Sequence, residues 1–246
     1  MTVQNYPLSY RSPLVITGLN ISVASNTTLS IAAGYAKDAD NIIDIALSTA
    51  TTLNAATTGA NGLDTGALAN STIYAIYLVT DTVNKRVCVL ASTSLTAPLL
   101  PYGYDGKLLI GFALTDGSAH FLPMKQTGYY NEKTYLWGTP ISVLSDGAST
   151  SDASVDCSAA VPAVSQVDIL INASYYPATA DDYTTIKYYA ATGGYLVYGS
   201  VATKMNSIAF ALPSVLVTAV PTMEYCNSAG SGKTDILVTG FKHTIL

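Results

Sequence analysis

Thr72-Ile-Tyr-Ala-Ile-Tyr-Leu-Val-Thr80 is a short run of β-branched, aromatic and aliphatic residues that ends at an acid. Two more runs of the same kind follow it, Val87 to Ala91 and Lys107 to Thr115. The first gap holds Val83-Asn84 and the second Pro101 to Gly106. Strand-like runs punctuated by Asn, Asp, Gly and Pro are the one-dimensional form of a β-sandwich or barrel. Upstream the pattern continues through Leu14 to Val23, Thr28 to Ala32 and Asn41 to Leu47, and downstream through His120 to Lys125. Beyond Pro140 it resumes over Ile141–Leu144, Ala153–Cys157, Gln166–Tyr175, Thr184–Ala190, Gly194–Val201, Ser207–Ala211, Thr222–Cys226 and Asp235–Leu246.

Composition agrees with an all-β chain. Only 11% of the 246 residues are charged, against about 25% in an average soluble protein. All but Glu132 and Glu224 of the 16 acids are Asp, a turn former, so the acid that favours helices is nearly absent. The net charge of −5 and the thin spread of Lys and Arg leave no basic stripe, which argues against a nucleic-acid partner. Apolar runs stay well short of a membrane-spanning helix, and Met1 to Arg11 lacks the basic start and apolar stretch of a signal peptide. Cys88, Cys157 and Cys226 are odd in number and widely spaced, so free thiols in a reducing compartment of synthesis are expected.

The length suits two ordinary domains. Residues 1–13, with Pro7, Pro13, Tyr6, Tyr10 and Arg11, show neither helical nor strand periodicity and read as an extended attachment arm. Residues 14–128 read as an N-terminal β-domain and 129–246 as a second β-sandwich or jelly roll. The boundary is placed in the stretch 129–140, where Gly138 and Pro140 interrupt the pattern beside Trp137, the single tryptophan.

Catalytic signals are weak. Ala229-Gly-Ser-Gly-Lys-Thr234 ends like a phosphate-binding P-loop, but Asn227 stands where the motif needs its first glycine and a strand follows where it needs a helix. A hairpin loop is expected there. Asp38, Asp40, Asn41 and Asp44 crowd oxygen donors without EF-hand spacing, so a solvated turn is expected and no metal or other cofactor is assigned. Asp181 and Asp182 are adjacent, and adjacent strand residues point to opposite faces, so they read as loop acids and not as a glycosidase pair. Ser118, His120 and Asp116 lack an oxyanion-hole signal, and His120 and His243 are both expected to be structural. No catalytic residue is assigned.

Tyrosine is in excess, with Tyr175, Tyr176, Tyr183, Tyr188, Tyr189, Tyr195 and Tyr198 in one short stretch. A phenol offers broad contact area at low entropy cost with a polar tip. Tyr183, Tyr188, Tyr189, Tyr195 and Tyr198 are therefore candidates for a subunit interface, with ordinary strand packing or a glycan platform as alternatives.

Six blocks in order carry a resemblance. They are Ile16-Thr-Gly-Leu-Asn-Ile21, Leu29-Ser-Ile-Ala-Ala-Gly34, Asn41-Ile-Ile-Asp-Ile45, Gly59-Ala-Asn-Gly-Leu-Asp-Thr-Gly66, Tyr74-Ala-Ile-Tyr77 and Ile110-Gly-Phe-Ala-Leu-Thr-Asp-Gly-Ser118, with Phe121 beyond. The chain resembles a family of tailed-bacteriophage virion proteins described as tail-fibre, tail-associated or structural. Gly34, Gly62 and Gly66 are expected to supply positive-φ turn positions, and Asn61 and Asp64 to bind local backbone. The resemblance implies a non-enzymatic tail-fibre or collar component, made in the bacterial cytoplasm and built into the virion as a homotrimer beside other virion proteins. A capsid decoration or head-fibre protein, or a receptor-binding module for host surface polysaccharide, are the alternatives. No family site residues transfer to this chain.

Overall fold

The computed structural model describes residues 16–37, 43–128, 130–179, 181–188, 195–198, 206–213, 215–217 and 220–245. Among them the fold is all-β and holds no helix. The first half carries β1 (Thr17–Gly18), β2 (Ile21–Ser25), β3 (Thr28–Ile31), β4 (Gly34–Lys37), β5 (Asp44–Leu47), β6 (Thr51–Asn54) and β7 (Gly62–Leu63). It continues with β8 (Ile73–Asp81), β9 (Arg86–Ser92), β10 (Gly106–Leu114) and β11 (Met124–Thr127). The second half carries β12 (Glu132–Gly147), β13 (Ala153–Asp156), β14 (Val167–Tyr176), β15 (Tyr183–Tyr188) and β16 (Tyr195–Tyr198). It ends with β17 (Asn206–Pro213), β18 (Val215–Val217), β19 (Val220–Asn227) and β20 (Lys233–Thr244).

An eight-stranded sheet has the order β17-β14-β20-β12-β11-β2-β3-β6, and a four-stranded sheet the order β10-β8-β9-β7. A five-stranded sheet contains β13-β19-β15-β16 with β18 paired to β19, and β1-β4-β5 form a fourth, three-stranded sheet. Among these strands β7 pairs in parallel with β9, and the other ladders are antiparallel.

The sheet β10-β8-β9-β7 is covered on both faces. Ala75, Tyr77 and Val79 face one core with Leu90, Phe112 and residues of the second half such as Tyr135, Ile169 and Phe241. Tyr74, Ile76 and Leu78 face another core with Val89, Ile110, Leu29, Ile31 and Leu53. Burial on both sides is why the run from Ile73 is continuously apolar instead of alternating with polar residues. By contrast β14 has one wet face: Val167, Ile169, Ile171, Ala173 and Tyr175 are buried, and the residues between them are partly exposed.

The expected junction at 128/129 falls between β11 and β12, two strands paired from Met124↔Trp137 to Thr127↔Thr134. The eight-stranded sheet therefore runs without a break from the first half into the second. Gly138 and Pro140 lie inside β12, in a bulge where Trp137–Pro140 are opposed on β20 by Thr239 alone, between the pairs Leu136↔Gly240 and Ile141↔Val238. A bulge inserts unpaired residues into one strand and erases its period-two pattern, so it resembles a linker in the sequence. The Trp137 indole Nε1–H donates to the Ala160 carbonyl at 3.1 Å, which ties the bulge to the chain beneath it.

Candidate functional site

The P-loop look-alike is a loop, as expected, but not a hairpin. β19 pairs with β13, β15 and β18, whereas β20 pairs with β12 and β14, so residues 228–232 carry the chain from one sheet to another. Buried Asn227 holds this crossing. Its Nδ2 donates to the carbonyls of Gly147 (2.9 Å) and Gly232 (3.0 Å), and Thr234 Oγ1 donates to its Oδ1 at 2.6 Å. A side chain on Gly232 would run into the Tyr175 phenol. Asn227, Gly232 and Thr234 are thus explained by architecture.

The group Asp116, Ser118 and His120 is a turn. Asp116 Oδ1 accepts from the backbone N–H groups of Ser118 (2.8 Å) and His120 (2.9 Å), and these bonds hold its carboxyl below the usual range. Asp182 Oδ2 likewise accepts from Thr179 N–H and Oγ1–H, each at 2.9 Å. Lys37 and the Tyr35 phenol both donate to Asp44, while Asp38, Asp40 and Asn41 lie outside the described residues. No metal-binding cluster of His, Cys, Asp and Glu occurs among the described residues. Cys88 and Cys157 are buried free thiols, Cys226 is partly buried and free, and burial pushes Cys157 up to about 12.

The tyrosine stretch does not form one set. Tyr175 is fully buried on β14 of the eight-stranded sheet, while Tyr183 and Tyr188 belong to β15 of the five-stranded sheet. Tyr188 is 44% exposed and Tyr176 38%. Tyr198 pairs in register with Tyr183, and Tyr195 with Ile186. The side chains of Tyr195 and Tyr198, all of Tyr189, and the arm residues Tyr6, Tyr10 and Arg11 lie outside the described residues.

Of the three glycines expected at positive-φ turn positions, Gly66 takes such a conformation, with φ 70°. Gly34 and Gly62 do not take such a φ; they lie where the backbone of Thr17 or Thr57 leaves no room for a Cβ. Asn61 itself takes φ 62°, and its Oδ1 reaches across to accept from Val89 N–H at 3.1 Å. Asp64 accepts locally from Thr65 N–H at 2.8 Å and also from Ser92 Oγ–H at 2.5 Å.

Two bases are buried: Lys133, which the sequence did not single out, and His243, which it gave as structural. Lys133 is 2% exposed, and its ammonium donates to neutral oxygens only, Asn20 Oδ1 at 3.1 Å and Gly18 O at 3.3 Å, so burial lowers its pKa. Its position in phase with buried Tyr135 and Trp137 was the available signal. On β20, paired with Lys133, His243 is 5% exposed and meets the Phe112 ring edge-on at 5.3 Å. Its Nδ1 is buried without a hydrogen-bond partner, and burial lowers the imidazole pKa to about 4. His243 lines a cavity of about 350 Å³ that is the clearest candidate for ligand binding. The cavity opens among β10, the end of β20 and the segments around Leu95 and Val164.

Comparison of the chain with protein-family models, curated proteins and solved structures gives no match, so its function has to be argued from its own residues.

Proposed function

We propose that this chain is a non-enzymatic structural protein of a tailed-bacteriophage virion, tail-associated as a fibre or collar component, and assembled as a homotrimer. The observation that supports it best is the outer face of the eight-stranded sheet. Around Asn172, the cross-strand neighbours are Ala209 on β17 and Leu237 on β20, and Leu237 is in turn opposite Ser142 on β12. Leu170 and Ala211 extend the same face, and on β14, β17 and β20 its charges lie toward the ends, at Asp168 with Lys242 and at Asp235 and Lys233, while Lys125 stands further along the sheet on β11, opposite Leu136. Desolvating such a surface against another copy costs less than desolvating a face of Lys and Glu. Low overall charge and the resemblance of the six sequence blocks support the same reading, in which residues 1–13 attach the protein to a neighbour.

Light scattering on the purified chain tests assembly. Three times the 25.7 kDa chain mass is expected, and Leu237→Lys or Ala209→Glu on the neutral face should shift the population to monomer without lowering the fraction folded. A monomeric wild type would refute the trimer for the isolated chain. Antibody labelling of intact particles tests location, with signal expected on the tail and not on the capsid.

A further inference from the structure

We propose that the cavity beside His243 binds a small carboxylate carried on an apolar chain, with the imidazole Nε2–H and the Lys107 ammonium as anchors. This goes beyond the structural role proposed above and stands independently of it. At about 350 Å³ the cavity is roughly ten times the volume of one water molecule, too large for a packing flaw and within the range of small-ligand sites. Leu109, Val164, Ile245 and the Tyr77 ring make much of its wall apolar.

The polar groups define the ligand's head. Nδ1 of His243 is closed off without a partner. Placing the ring proton there would bury an unpaired donor, the more costly kind of orphan, so the neutral ring carries its proton on Nε2. His243 lines the cavity, and Nε2 is the ring nitrogen left to donate there. Lys107, also in the lining, donates one N–H to the Thr96 carbonyl at 2.6 Å and has two more to offer. The Tyr77 phenol donates to the Ser94 carbonyl at 3.0 Å and is pushed up to about 12, so it stays uncharged. Among the described residues, no Asp or Glu lines the cavity. A site with one fixed cation, one neutral donor and apolar walls selects an anion with an apolar body over a cation or a neutral molecule of equal size.

Hexanoate is the probe, with hexan-1-ol and hexylamine as equal-length comparators, titrated into the full chain and followed by NMR of the imidazole resonances. His120, the other histidine, sits partly exposed in the Asp116 turn and gives a separate reference signal. Saturable hexanoate binding is expected to shift the His243 signals and raise its pKa, with hexan-1-ol weaker by about tenfold or more and hexylamine not bound. Lys107→Met and His243→Phe should each weaken hexanoate by about tenfold while Lys107→Met keeps the wild-type melting temperature. If His243→Phe fails to fold, Lys107→Met carries the test. No saturable hexanoate binding, equal binding of hexan-1-ol, or wild-type affinity in Lys107→Met would each overturn the proposal.

Discussion

The Tyr135 ring on β12 stacks on Phe241 of the neighbouring β20, with centroids 4.6 Å apart and planes 18° from parallel. Phe112 of β10 meets both rings edge-on, at 5.9 and 5.8 Å. This cluster fastens the four-stranded sheet of the first half onto the strands of the second. Phe112→Ala should therefore cost about 3–5 kcal/mol and lower the melting temperature of the whole chain in one calorimetric transition. Two separate transitions, with only one moved, would show that the halves melt independently.

The buried imidazole of His243 gives stability an acid limit. Burial lowers its folded pKa to about 4, from the ordinary 6.5 of a free imidazole. The unfolded chain takes up the proton first as pH falls, so this contribution is complete above pH 6.5 and is lost progressively as pH drops toward 4. The shift corresponds to about 3 kcal/mol at most. Urea titrations at pH 7.5 and pH 4.5 should differ for wild type, and His243→Phe should flatten that part of the pH profile.

Two glycines separate close packing from open space. A Cβ on Gly240 would collide with the Tyr135 carbonyl across the ladder, whereas one on Gly117 would meet nothing. Gly240→Ala should destabilise the chain by several kcal/mol or abolish soluble expression, since the obstacle is backbone of the paired strand. Gly117→Ala should melt within about a degree of wild type.

Asn227 offers a test of the crossing loop. Asn227→Ala removes the donor for two carbonyls and the acceptor for Thr234, and should cost about 1–3 kcal/mol. Nucleoside triphosphates should leave the melting temperature unchanged, because Lys233 begins a strand and its Nζ is paired with Asp146 at 3.0 Å.

Most strands were legible because local alternation and turn residues mark them wherever one face is wet, as on β14, or where a run is apolar throughout, as on β8. What local pattern cannot encode is the choice of partner. The loop after Asn227 looks like a hairpin because two strands flank it, yet those strands join different sheets. Trp137–Pro140 looked like a linker because a bulge also breaks alternation. Short strands such as β4, β6 and β18 escaped because they are no longer than the turns around them. The cavity at His243 was invisible for the same reason: its walls come from β8, β10, β20 and two loops distant in sequence, and a single histidine in a strand gives no sign of empty space beside it.

The position of β20 sets the order in which the protein can be made. It lies between β14 and β12, third in the order of the eight-stranded sheet, so those two strands have no mutual ladder to hold them until residues 233–244 arrive. A ribosome has to deliver nearly all of the described chain before the sheet can close. Because its decisive pairings span long separations, closure is slow compared with local hairpins. Until then the unpaired backbone edges of β12 and β14 stand open to one another's copies on neighbouring nascent chains. The hazardous interval is the one between emergence of β14 and arrival of β20, when an identical strand from another chain fits the gap as well as its own.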